Sequence, residues 1–167
     1  MEGVSGGVSP PVPIAAAHDT SAFSCGVDVL DDWLKTTALK SEGRSARTYV
    51  VCEDGAVVGY DCLATGAVER GSAPGRLRRN APDPLPVMVV GRLAVTRARK
   101  GQAIGSAMLR DAIRRALQTS EIVGCAAIIV HAIDDAAAAF YAGHGFIAFP
   151  PGSRTLFLPV DTFRAAL

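Results

Sequence analysis

The feature that most constrains this chain is the junction Gly91–Leu109, GRLAVTRARKGQAIGSAML. An apolar strand pattern over Val87–Val95 enters a short basic loop containing glycine, and an amphipathic helix begins at once. A helix start of this kind exposes backbone N–H groups that have no acceptor within the helix, so it is a ready anion site. Gly101 and Gly105 permit close backbone approach, and Arg97, Arg99 and Lys100 add positive charge. Neither GxxxxGK[ST] nor GxGxxG is present, so the loop is neither a Walker A loop nor a dinucleotide fingerprint.

The surrounding pattern predicts one mixed α/β domain over residues 1–167. Val27, Leu30, Leu34 and Ala38 recur at helical spacing, with Trp33 beside them and acidic residues early in the helix. Arg47–Glu53 and Ala56–Val68 read as two strands around an Asp54-Gly55 hairpin turn. Residues 69–86 read as a long loop, and Gly91 marks a bulge or a close approach inside the strand 87–95. Gly105–Ile122 reads as a helix, Cys125–Ala132 as a buried strand, and a short helix capped by Asp134 or Asp135 ends near Gly143. Phe146–Phe149 and Thr155–Val160 close the sheet. Residues 1–12 read as a loose lead-in, and no Lys or Arg precedes the mild apolar stretch there, unlike a secretory signal.

Composition narrows the class. With 49% apolar and 20% charged residues and a mean hydropathy of +0.26, the chain is globular rather than disordered. No apolar run reaches the length of a membrane span, so no membrane role is expected. The four cysteines are dispersed and the three histidines do not join them, so no metal site is expected and the thiols read as reduced and cytoplasmic.

The net charge of +1 hides an asymmetry. Residues 35–47 and 69–79 each carry a net +3, and residues 92–115 a net +6. A chain neutral overall can therefore present a basic face.

A second chemical feature is DDAAAAFYAGHGF, Asp134–Phe146. Phe140 and Tyr141 are about 100° apart on a helix, so both cannot enter one core. Together the two features resemble the GNAT superfamily of acyl-CoA N-acyltransferases. Its acetyl-CoA loop follows V-x4-[QR]-x-x-G-x-[GA], matched by Val95 and Gly105, and its later helix ends Y-x3-G-F, matched by Tyr141–Phe146. Lys100 stands where the family has Gln or Arg, and Ala103 where it has Gly; alanine is strained there if the position needs positive φ. FSCGVDVLDDWL (Phe23–Leu34), RTYVVCE, APGRLRRNAPDPLP and GRLAV further resemble the TacT-type acetyltransferase toxins of toxin–antitoxin systems.

The resemblance implies a GNAT fold: a mixed, mostly antiparallel sheet with a splayed central strand pair and flanking helices. It implies acetyl-CoA as acetyl donor, held by Leu93, Ala94, Val95, Lys100, Gly101, Gln102, Ala103, Ile104, Gly105 and Ser106. It implies acetylation of the α-amino group of aminoacyl-tRNA, with translation blocked. Backbone N–H groups near Gly91 are expected to stabilise the developing oxyanion. Tyr141 matches the family's general acid, since a phenol's usual pKa of about 10 lies close to a thiol's. The implied partners are a ribbon-helix-helix antitoxin, through which alone DNA is contacted, and a second copy in a homodimer; helix 27–39 and the C-terminal strand with Asp161–Leu167 are the candidate partner surfaces. Lys35, Lys40, Arg44, Arg47, Arg76, Arg78, Arg79 and Arg92 are the candidate RNA contacts, because affinity for a polyanion comes mainly from neutralised phosphates. Two other readings stay open. One is a GNAT enzyme for a small amine or a protein N-terminus, which has no use for the arginine cluster. The other is a degenerate toxin homologue without catalysis.

Overall fold

The hairpin at Asp54-Gly55 forms where expected, with φ of 52° and 82° at the two turn residues. Positive φ at both central residues matches the turn's twist to that of its strands. The structure is a computed structural model that describes residues 7–162. Of the candidate partner surface at Asp161–Leu167, residues 163–167 lie outside the described residues.

The elements, in chain order, are β1 (Val12–Pro13), α1 (Asp28–Thr36), α2 (Ala38–Ser41), β2 (Arg47–Glu53), β3 (Ala56–Val68), α3 (Gly75–Arg78), β4 (Leu85–Val95), α4 (Ile104–Ser120), β5 (Ala127–His131), α5 (Asp135–Gly143), β6 (Ile147–Ala148) and β7 (Thr155–Pro159). The sheet order is β1-β2-β3-β4-β5-β7-β6. Of the registered pairings, β4 with β5 is parallel and the others are antiparallel. The chain divides into two compact units, residues up to 64 with 92–112, and residues 65–91 with those from 113 onward. Strands β3 and β4 and helix α4 each contribute a part to both.

In the first unit, β2 and β3 pair from Arg47↔Leu63 to Glu53↔Ala56, with a register shift between Val51 and Cys52. One core cluster gathers Phe23, Leu34, Ala38, Val50, Tyr60, Cys62 and Ala94. Another gathers Val8, Val51, Val58, Ile104 and Met108, with Leu93 and Val95 packed against it. Ile104 and Met108 are one helical turn apart, so α4 presents both to this cluster. Gly59 makes that approach possible: a Cβ there would stand 2.7 Å from Met108 Sδ and 2.9 Å from Val51 Cγ2. Val51 is β-branched and cannot give way cheaply. Gly59→Ala is therefore expected to cost about 1–3 kcal/mol, read as a lowered urea midpoint at unchanged slope.

Residues 7–14 are not the loose lead-in expected of the N-terminal stretch. Val8 is fully buried, Ser9 N–H donates to Cys52 O at 2.8 Å, and Ile14 N–H donates to Thr48 O at 2.9 Å. The backbone is held along β2 by main-chain bonds that carry no side-chain period. Pro10, Pro11 and Pro13 are tolerated because an edge strand does not need every N–H.

In the second unit, β4 pairs with β5 from Val87↔Ala127 to Val90↔Val130. The registered pairs end one residue before Gly91, where a Cβ would meet nothing within 4 Å. No protein atom therefore closes on Gly91, and the registered pairing with β5 stops just before it. The long loop 69–86 is also more built than expected. It holds a 3-10 turn at Arg70–Ser72 and the four-residue α3, a helix too short for periodicity to reveal. Leu77 and Ala81 pack against Ala73, Leu85, Val87, Ala127, Ile129 and Phe157. Asp83 accepts the Arg70 N–H at 3.0 Å, and Arg70 Nη1 donates to Ala81 O at 2.9 Å. Among the described residues no helix is long and apolar enough to cross a membrane.

Candidate active site and basic surfaces

Along β4, alternation sends Ala94 into the Phe23 cluster and turns Leu93 and Val95 to the Ile104 cluster. Just beyond the strand, the Thr96 N–H donates to Val58 O at 2.8 Å. A 3-10 turn follows at Arg97–Arg99. Gly101 (φ 82°) and Ala103 (φ 63°) then both take left-handed backbone, and α4 starts at Ile104. The first intrahelical bond is Ala107 N–H to Ala103 O, 3.1 Å. The amides of Ile104, Gly105 and Ser106 precede any i−4 acceptor, so they are the groups a diphosphate can use. The donor set fits a phosphate-bearing acyl donor held by backbone.

The nearby charged side chains are engaged elsewhere. Arg99 pairs with Glu53 and donates to Gln102 Oε1 at 3.2 Å. Arg97 Nη2 donates to Ser24 Oγ at 3.1 Å, and Lys100 Nζ donates to Cys25 O at 2.9 Å. The donor that Lys100 retains at the family's Gln/Arg position is thus directed at the protein's own backbone.

Ala103 adopts the conformation a glycine would take, at a cost of about 1–2 kcal/mol for its Cβ. The extra freedom glycine gives the unfolded chain offsets part of this. Ala103→Gly is therefore expected to raise stability by about 0.5–1 kcal/mol in chemical denaturation, with acetyl-CoA affinity by calorimetry no weaker than before.

Tyr141 is placed by the end of α5. Asp134 caps the start of that helix, accepting the Ala137 N–H at 2.8 Å. At the other end Gly145 takes φ 97°, its N–H donates to Ala142 O at 3.1 Å, and Phe146 N–H donates to Tyr141 O at 3.2 Å. That pair of bonds is a Schellman motif, and its usual apolar contact is present as Tyr141 against Phe146, ring centroids 5.7 Å apart. The Y-x3-G-F spacing thus has a local cause: Gly permits the reversal, and Phe fixes the Tyr ring. Tyr141 is buried and Phe140 half-buried, with their rings edge to face at 5.3 Å. His144 Nδ1 lies 2.9 Å from Phe140 O, and His131 Nδ1 lies 3.1 Å from Thr155 Oγ1.

The basic residues fall into separate groups. Lys35, Lys40, Arg44 and Arg47 are exposed at the ends of α1 and α2, between α2 and β2, and at the first residue of β2, with Arg47 Nη1 3.2 Å from Glu42. Arg76, Arg78 and Arg79 are exposed on and just after α3, while Leu77 between them enters the core. Arg92 is half-buried, its guanidinium 4.1 Å above the Trp33 ring, and Trp33 stacks on Tyr60 at 6.0 Å and 10°. Trp33 and the buried Asp31, which accepts the Cys25 N–H at 2.9 Å, have partners the helical pattern alone did not single out. Those partners lie off the helix, so no spacing within it could reveal them.

All four cysteines are free. Burial raises each thiol above its ordinary pKa, Cys62 to about 11. They are therefore poor nucleophiles near neutrality. Among the described residues no three His, Cys, Asp or Glu side chains gather as a metal site.

Residues 44–148 match the acetyltransferase (GNAT) domain model. The chain is 44% identical over 162 residues to the tRNA-acetylating toxin of Mycobacterium tuberculosis, covering 96% of this chain and 98% of that protein. Among solved structures it resembles AtaT complexed with acetyl-methionyl-tRNAfMet at TM-score 0.87 and 25% identity, covering 95% of this chain and 98% of that one. It resembles AtaTR bound with AcCoA at TM-score 0.83 and 26% identity, covering 95% and 97%. The α4 loop, the Tyr141 helix end and these likenesses agree, and the chain belongs to the GNAT acetyltransferases, among the TacT-type toxins.

Proposed function

We propose that this protein transfers the acetyl group of acetyl-CoA to the α-amino group of an aminoacyl-tRNA and so blocks translation. The observation that carries the substrate is the exposed arginine helix α3, held by Leu77 in a chain alike end to end with a tRNA-acetylating toxin. An acetyltransferase for small amines has no use for three such cations. Arg76, Arg78, Arg79 and Arg92, with Lys35, Lys40, Arg44 and Arg47, neutralise phosphates. Leu93, Ala94 and Val95 and the loop Lys100–Ser106 hold the acetyl donor, chiefly through backbone amides.

Transfer is direct. The neutral amine nitrogen bonds the acetyl carbon and gives up a proton to water, the carbon–sulfur bond breaks, the Tyr141 phenol protonates the departing thiolate, and the resulting phenolate regains a proton from water. The raised thiol pKa values support a path with no acyl-cysteine.

The active form is a cytoplasmic homodimer neutralised by a ribbon-helix-helix antitoxin, and DNA is met only through that complex. Residues 1–167 act as one acyltransferase domain.

The test is to incubate the purified protein with radiolabelled acetyl-CoA and, separately, charged tRNA, deacylated tRNA, polyamines and short peptides. Label on the aminoacyl ester alone is expected. Label on polyamines or peptides with none on charged tRNA would replace this reading with a small-amine or N-terminal acetyltransferase. No acetyl-CoA binding by the wild type, regained on Lys100→Gln with Ala103→Gly, would identify a degenerate homologue.

A further inference from the structure

Residue Cys25 sits in the segment leading into α1, and charged groups hold its backbone from two sides. The buried Asp31 carboxylate of α1 accepts its N–H at 2.9 Å. Lys100 Nζ, from the loop before α4, donates to its carbonyl at 2.9 Å. The neighbouring residue repeats the connection: Ser24 O accepts the Arg97 N–H at 2.8 Å and the Thr96 hydroxyl at 3.2 Å, and Ser24 N–H donates to Thr96 Oγ1 at 3.1 Å. Arg97 Nη2 adds a bond to Ser24 Oγ at 3.1 Å. Downstream of this joint α1 carries Trp33, whose ring supports the Arg92 guanidinium at 4.1 Å, and Lys35 in its last turn.

We infer that Lys100 is a positioning residue: it does not bind a phosphate of the acetyl donor but ties the donor's loop to the segment that sets α1, and with it the Trp33–Arg92 pair on the RNA side. Bonds to charged groups are the stronger ones, and Lys100 and Asp31 place one at each polar group of the same residue. One of the ammonium's three N–H donors is committed to Cys25 O, which directs the side chain at the segment before α1. Gln at this position is one bond shorter and neutral, so it does not make the same tie. The inference rests on the acetyltransferase reading, and it separates Lys100 from the backbone amides of the same loop.

The experiment measures wild type, Lys100→Gln and Lys100→Met for acetyl-CoA Kd at several salt concentrations, and for the KM of both acetyl-CoA and charged tRNA. Unfolding midpoints establish that each variant is folded at the assay temperature. A brace predicts that both variants raise both KM values about three- to tenfold, with kcat little changed and the salt dependence of acetyl-CoA binding the same as wild type. A phosphate ligand predicts a weaker salt dependence of acetyl-CoA binding in both variants and a raised KM for acetyl-CoA alone, with that for charged tRNA unchanged; either result overturns the inference. Variants indistinguishable from wild type overturn it as well. Failure of the wild type to bind acetyl-CoA overturns the acetyltransferase reading first, and this inference with it.

Discussion

Tyr141→Phe is expected to lower kcat about 10²-fold or more, with the KM for acetyl-CoA little altered. The substitution removes one hydroxyl and keeps the ring, so the Phe146 packing and the helix reversal at Gly145 persist. The missing step is proton delivery to the thiolate leaving group, which a bound donor does not need until carbon–sulfur cleavage. The kinetic signature is a fall in kcat and kcat/KM together. Single-turnover acetylation of charged tRNA measures it directly. Full turnover by the variant would remove Tyr141 from the chemistry and leave it a packing residue of α5.

The second large effect lies on the RNA side. Replacing Arg76, Arg78 and Arg79 together by Gln removes three exposed cations, while Leu77, which anchors the short helix, is untouched. If each arginine neutralises a phosphate, the plot of log affinity against log salt flattens by about 0.7–0.9 per arginine replaced. At physiological salt this amounts to a rise of about 10²-fold in KM for charged tRNA. Acetyl-CoA affinity is expected to stay constant, which separates an RNA defect from a folding one. A variant with unchanged salt slope would show that these arginines are only solvated surface.

Much of the fold was legible because its signals are local. The Asp54-Gly55 turn and the apolar runs on either side define β2 and β3 at the observed ends. Of the two cap candidates Asp134 and Asp135, Asp134 caps α5. Features made by backbone or by distant partners were not legible. Residues 7–14 look like a linker, since three prolines carry no strand period, yet their main chain bonds to β2. Helix α3 is four residues long, below the reach of any periodicity argument. The family motifs located the loop and Tyr141, but not what Lys100 touches. Its charge suits a phosphate, and only the folded chain brings Cys25 O within 2.9 Å. Ala103 shows the opposite case: the expectation of strain at a glycine position is met by φ 63°.

The proline-bearing segment along β2 has a consequence for how this sheet edge avoids uncontrolled strand pairing. An open sheet margin is a template for a foreign strand, because its amides and carbonyls are all available at the spacing another chain needs. On the β1 side that margin is Pro10, Pro11, Val12 and Pro13, and three of the four have no amide hydrogen to offer. The template is interrupted where it would otherwise begin, so this flank does not invite fibrillar stacking or strand exchange even when the protein is concentrated.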